Sequence, residues 1–254
     1  MTERSVLRSG AVALALGAVA IAGFRMGHGD LPAAHPEAAL EFISQRDSYV
    51  LVHLGTVLGV LAWCGGMVAL AGTLADTGAS SGSGVSSGVP GGFSGGGARQ
   101  LARVGSAIML VGAAVFIVDF SIDGVAGSGL ADAWQAAPPE DKADHVLAAQ
   151  ITFTILRGTS LTAILALWGV PLVLYGGALL RAGYPGWLGA TGVVLGSLNT
   201  LAALALAFDA ELFPGVLLYG LLVSLLTPLW GLLLGVVTWR RAAASGSAPG
   251  AAPG

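Results

Sequence analysis

The sequence predicts an all-α membrane protein, a polytopic bundle of six transmembrane helices, and three observations carry that prediction. The 254 residues are 55% hydrophobic and only 10% charged, with mean hydropathy +0.81, whereas soluble domains hold roughly a quarter charged residues. Six apolar runs approach or reach the roughly 20 residues that a helix needs to cross a bilayer. The charged residues gather between and at the ends of those runs, where water or headgroups can solvate them. The net charge of −3 comes without a basic patch, so nucleic acid is not an expected partner. The lone Cys64 lies inside a run and says nothing about redox compartment.

In chain order, Arg4 and Arg8 lead into the run ending near Arg25. This first span, 6–25, reads as an uncleaved signal anchor, with a cleaved signal peptide as the alternative. A polar stretch follows, in which Pro36-Glu37 marks a helix start. Leu40, Ile43 and Phe42 give that helix an apolar side, and it is expected to continue through Tyr49, an interfacial anchor, into the second span, 50–74. Residues 75–100 are Gly/Ser-rich and read as a flexible linker; no lysine follows their glycines as a phosphate loop requires. The third span is 101–123, followed by an acidic loop. Pro138-Pro139-Glu140-Asp141 then starts an amphipathic outer helix that extends the fourth span, 158–180. The fifth and sixth spans are 187–208 and 212–239, with Pro171 and Pro228 interrupting spans four and six. The membrane domain thus covers 1–241, and 242–254 reads as a disordered tail.

Counting from the two helix starts, His53 lies 17 residues beyond Pro36 and Arg157 lies 18 beyond Pro139; Trp63 and Trp168 follow at 27 and 29. That correspondence suggests a duplicated helical hairpin with His53 and Arg157 in related places.

Six spans put both termini on one side. Arg4, Arg8, Arg99, Arg103, Arg181, Arg240 and Arg241 fall on that side, against Arg25, Arg46, Lys142 and Arg157 opposite. The positive-inside rule therefore places the termini in the cytoplasm of a bacterial plasma membrane. Apart from Glu3 and Asp76, the acids lie outside, and so do His28, His35, His53 and His145. Any polar chemistry belongs to the outer face.

The candidate polar cluster is His53, Asp119, Asp123, Gln150 and Arg157, ionisable or polar groups at similar depth near outer span ends. Such groups are costly in lipid unless they pair or reach water. Arg157 is expected to be neutralised by Asp119 or Asp123, and the cluster could bind a solute, relay protons or hold two hairpins in register. No HxxxH or HxxE spacing declares a metal helix, so no metal or cofactor is expected, and His145 with Asp141 reads as a solvated helix face. No catalytic residue is assigned, because no nucleophile can be paired with a base.

Gly55–Gly59, Gly192–Gly196 and Gly231–Gly235 are small-xxx-small motifs, read as packing within the chain or as the seam of a homo-oligomer. Asn199 and Thr200 are expected to hydrogen-bond a neighbouring helix, and Tyr184, Trp187 and Trp239 to form an inner aromatic belt. The stretch DFSIDGVAGSGLADAW, with the amphipathic outer helices that enter spans with His or Arg, resembles uncharacterised multi-span bacterial membrane proteins of actinobacterial type. That resemblance implies no activity and no site residues. The leading expectation is a non-enzymatic small-solute carrier or envelope interaction protein, with the lipid bilayer and a small-molecule ligand as partners. The alternative is a membrane-embedded enzyme or metal- or cofactor-binding protein using the outer His, Asp and Glu groups.

Overall fold

The computed structural model describes residues 2–29, 31–74, 97–208 and 217–244, and among these every regular element is helical. We number the helices in chain order. They are α1 (Glu3–His28), the short α2 (Pro36–Ser44), α3 (Tyr49–Thr73), α4 (Gly97–Ala136), α5 (Lys142–Arg181), α6 (Gly186–Phe208) and α7 (Leu217–Ala244). All except α2 are long and apolar enough to cross a membrane, so the chain is a multi-pass membrane protein. Most of the Gly/Ser linker, the Asp209–Glu211 turn and the tail beyond Ala244 lie outside the described residues.

α1 and α3 form the closest pair, because small residues let their backbones meet. A Cβ at Gly17 would stand 2.5 Å from the Trp63 nitrogen, and one at Gly66 2.7 Å from the Gly10 oxygen. The three small-xxx-small motifs likewise face helices of the same chain. Gly59 faces Ile21 of α1, Gly196 faces Val173 of α5, and Gly235 faces Ala11 of α1. Trp63, Trp168 and Trp230 fill the centre, while Leu16, Leu58 and Leu201 point outward, each more than 60% exposed. That inside-out distribution is stable where the outer solvent is lipid. Of the expected aromatic belt, Trp187 and Trp239 are exposed, whereas Tyr184 is buried beneath the Arg241 guanidinium, 4.1 Å from its ring centre. Asn199 donates to Thr227 of α7 across 3.1 Å.

Several helix limits differ from those read in the sequence. α2 stops at Ser44, and a turn over Gln45–Ser48 separates it from α3. Arg46 explains the break: its guanidinium stacks on Phe42 at 3.8 Å and donates to the terminal carbonyls of Gly27 and His28 in α1. The stretch after Asp123, read as a loop, stays helical to Ala136. α5 starts at Lys142, a few residues after the Pro138–Asp141 signal, and runs unbroken to Arg181 with Arg157 inside it.

Three helices widen locally into π turns. In α5 the wide turn is Leu165–Gly169, just before Pro171, and in α7 it is Leu217–Leu226, just before Pro228. A proline has no N–H and its ring strikes the carbonyl four residues back, so a widened preceding turn relieves both problems. The third, Ile122–Ala126 in α4, contains no proline and carries Asp123. Single π turns without such a cause occur frequently at functional sites.

Candidate functional site

Asp123 is the point on which one end of α1, of α3 and of α4 converge. Its Oδ2 lies 3.3 Å from His28 Nε2, at the end of α1, and 3.0 Å from His53 Nε2, in the first turns of α3. Its Oδ1 accepts a 2.6 Å hydrogen bond from the Tyr49 hydroxyl. All four residues are buried, His53 almost completely at 1% exposure.

Local backbone features put these side chains in place. The wide turn of α4 projects Asp123 inward, and the next residue, Gly124, lets His53 rest against the helix: a Cβ there would lie 2.6 Å from the His53 Cβ. Gly29 ends α1 at φ 73°, a value that favours glycine. Its carbonyl turns back to His28 Nδ1 at 2.9 Å. On α3, His53 Nδ1 meets the Tyr49 carbonyl at 2.7 Å. A carbonyl only accepts, so each Nδ1 carries a hydrogen, and each ring turns its Nε2 toward the carboxylate, that of His28 within hydrogen-bond distance of Asp123 Oδ2 at 3.3 Å. For His53 the 3.0 Å approach falls outside hydrogen-bond geometry, leaving that buried nitrogen without a hydrogen-bond partner.

One turn deeper lies a second polar layer. Asp119, four residues before Asp123 on α4, accepts hydrogen bonds from Thr159 and Ser160 of α5, the latter at 2.8 Å. Arg25, three residues before His28 on α1, donates to Ser224 of α7 at 3.3 Å, with its guanidinium 5.7 Å from the Phe120 ring centre. Together the two layers hold two carboxylates, one guanidinium and two imidazoles, contributed by helices α1, α3 and α4 and bordered by α5 and α7.

α2 roofs this end. Its Ala39, Leu40 and Ile43 pack with Tyr49, with Ala131 of α4 and with Ala149, Phe153 and Leu156 of α5 in a separate apolar cluster. The roof holds α3, α4 and α5 together at the Asp123 end of the bundle.

Of the five residues singled out in the sequence, the structure brings His53 and Asp123 into direct approach and sets Asp119 in the layer beneath. Gln150 is exposed on the outer half of α5. Arg157 does not serve either aspartate in the way expected: it is exposed, and its Nη2 donates across 2.6 Å to the carbonyl of Leu206. A cation near the last turn of a helix satisfies one of its open carbonyls. The cation in the layers is Arg25, the base at the end of the first apolar run. His28 and Tyr49 were also missed, the first as part of a polar loop and the second as an interfacial anchor. Tyr49 carried a signal in the spacing, since Tyr49 and His53, like Asp119 and Asp123, are four apart and share a helix face, whereas His28 carried none. HxxxH and HxxE spacings reflect ligands on one helix, whereas His28, His53 and Asp123 come from three.

No family model matches the chain, and neither a curated protein nor a solved structure matches it.

Proposed function

We propose that this chain is a non-enzymatic carrier of a small cation in a bacterial plasma membrane, with its termini cytoplasmic and its two polar layers at the outer end. The observation that carries the reading is the charge in those layers. Among the described residues, Asp119 and Asp123 share one buried guanidinium, that of Arg25, so the two carboxylates outnumber the cation in the layers by one. Ionisable groups at membrane depth mark ion and substrate paths, because an uncompensated charge there is otherwise strongly unfavourable. A bound cation offsets it. The stacking of the layers along the bundle axis supports movement inward from an outer binding layer to an inner one.

The orientation rests on how the bases segregate. Arg4 donates to the Ala242 carbonyl and Arg241 to the Gly183 carbonyl, which groups the arginine-rich segments at one end of the bundle, away from His28 and Asp123. By the positive-inside rule that end is cytoplasmic. Single cysteines introduced at Glu140 and at Gly186 in a Cys64→Ala background test it: a membrane-impermeant maleimide applied to intact cells should label only the former.

The carrier reading is tested in liposomes holding the full chain, with protons, Na⁺ and Co²⁺ as probes and entrapped indicator dyes as readout. The wild type should move at least one of them, and Asp119→Asn should abolish that movement while the chain stays inserted and folded. Undiminished movement in Asp119→Asn, or no movement of any probe by the wild type, would leave the layers as a structural clasp between α4 and α5.

A further inference from the structure

We infer that His28, His53 and Asp123 form a binding site for a divalent transition-metal ion, with a fourth coordination position left to a water or anion. This names the cation class of the carrier reading above and rests on it for the role, although not for the geometry.

The donor set is the first argument. Two imidazole nitrogens and one carboxylate oxygen suit borderline ions such as Zn²⁺ and Co²⁺ and leave an open position in a tetrahedron. The three donor atoms all lie within 4.8 Å of one another. Bonds of roughly 2.0–2.1 Å in a tetrahedron set neighbouring ligand atoms about 3.3 Å apart. Of the two separations at Asp123 Oδ2, that to His28 Nε2, 3.3 Å, equals that value, and that to His53 Nε2, 3.0 Å, lies slightly below it.

The surroundings of the donors are the second argument. Metal-bound histidines almost always donate their other ring N–H to a carbonyl or carboxylate, and bound carboxylates are themselves hydrogen-bonded. All three conditions are met: His28 Nδ1 to Gly29 O, His53 Nδ1 to Tyr49 O, and Tyr49 Oη to Asp123 Oδ1. Those bonds fix both Nε2 lone pairs on the site.

The third argument is the position of His53 Nε2. That nitrogen is buried and lies 3.0 Å from Asp123 Oδ2, yet makes no hydrogen bond. A metal ion would engage it without that geometry, since it sits off the line between two ligand atoms. Asp123 keeps 9% exposure, the most of the three ligands.

The test uses the full chain in detergent, stripped with a chelator and titrated with Co²⁺, whose intense visible absorption is diagnostic of four-coordination. One Co²⁺ per chain should bind with that spectrum and be displaced by Zn²⁺. His53→Ala and Asp123→Asn should each weaken binding by at least about tenfold, a loss that even supporting residues of metal sites produce. His35→Ala and His145→Ala, at outer positions remote from Asp123, should leave it unchanged. His53→Cys guards against a variant that merely unfolds, because a thiolate in place of the imidazole should add a sulfur-to-cobalt charge-transfer band in the near ultraviolet. Absence of the four-coordinate spectrum in the wild type, or equal binding by His53→Ala, overturns the site. If Co²⁺ fails while Na⁺ or K⁺ raises the melting temperature in an Asp123-dependent way, the metal inference falls and the carrier reading stands. If no cation stabilises the chain, both fall.

Discussion

At Asp123, one carboxylate receives a phenol and two imidazoles, and each neighbour has a separable effect. The Tyr49 hydroxyl is the best-formed of these interactions, and Tyr49→Phe removes it without opening space. A buried acceptor that loses its donor costs about 1–3 kcal/mol, so the variant should unfold at a lower temperature in detergent while keeping its helical circular dichroism. It should also weaken Co²⁺ binding by about tenfold, through the loss of support to a ligand carboxylate. Gly124→Ala probes the opposite side of the same group. Its added methyl meets the His53 Cβ at 2.6 Å, with the histidine held by its bond to the Tyr49 carbonyl. Overpacking of that kind costs about 1–3 kcal/mol, and the displaced ring should lower metal affinity more than Tyr49→Phe does. A Gly124→Ala protein with unchanged melting temperature and unchanged affinity would show that α3 and α4 can slide apart freely there.

Among the elements, α4 shows how a local irregularity sets the aim of a side chain. A π turn is equivalent to one extra residue inserted in an α-helix, and both flanks keep their own register. Deleting the exposed Val125 should therefore restore a regular helix without disturbing the faces of α4 that pack on α3 and α5. Asp123, however, loses the widened turn that directs it between His28 and His53. The expected result is a chain that still inserts, still melts cooperatively, and binds Co²⁺ no better than Asp123→Asn. Retention of wild-type affinity would mean that the wide turn is incidental to the site. The turns before Pro171 and Pro228 make no such prediction, because proline geometry already accounts for them.

Across the whole molecule, the bundle divides into a tightly packed apolar middle and two polar ends with different chemistry. Cys64 sits in that middle, 2% exposed beside Trp63. A thiol-reactive dye should leave it unmodified in the folded protein and label it as the bundle opens, so labelling against temperature should coincide with the loss of near-ultraviolet circular dichroism. Rapid labelling at low temperature would contradict the close approach of α1, α3 and α7 around Trp63. The end that carries both termini is held by arginines on carbonyls and aromatic rings, the opposite end by α2 and the polar layers. This asymmetry suits a protein that meets its ligand on one side of the membrane.

The sequence by itself determined the solvent of each segment, since hydropathy and run length are local quantities: six apolar stretches, polar ends, and one set of span ends rich in acid and histidine. It also pointed to His53, Asp119 and Asp123, because charged groups near the ends of apolar runs stand out without any knowledge of contacts. Only the tertiary structure decided which groups meet. Arg157 and Arg25 look alike in sequence, each a base beside an apolar run, yet helix rotation sends the first to the Leu206 carbonyl and the second into the inner polar layer. His28 gains its place only because Gly29 turns the chain and α1 packs on α3. A site whose ligands come from three helices has no spacing signature along the chain, since the distances between them are set by side-chain packing.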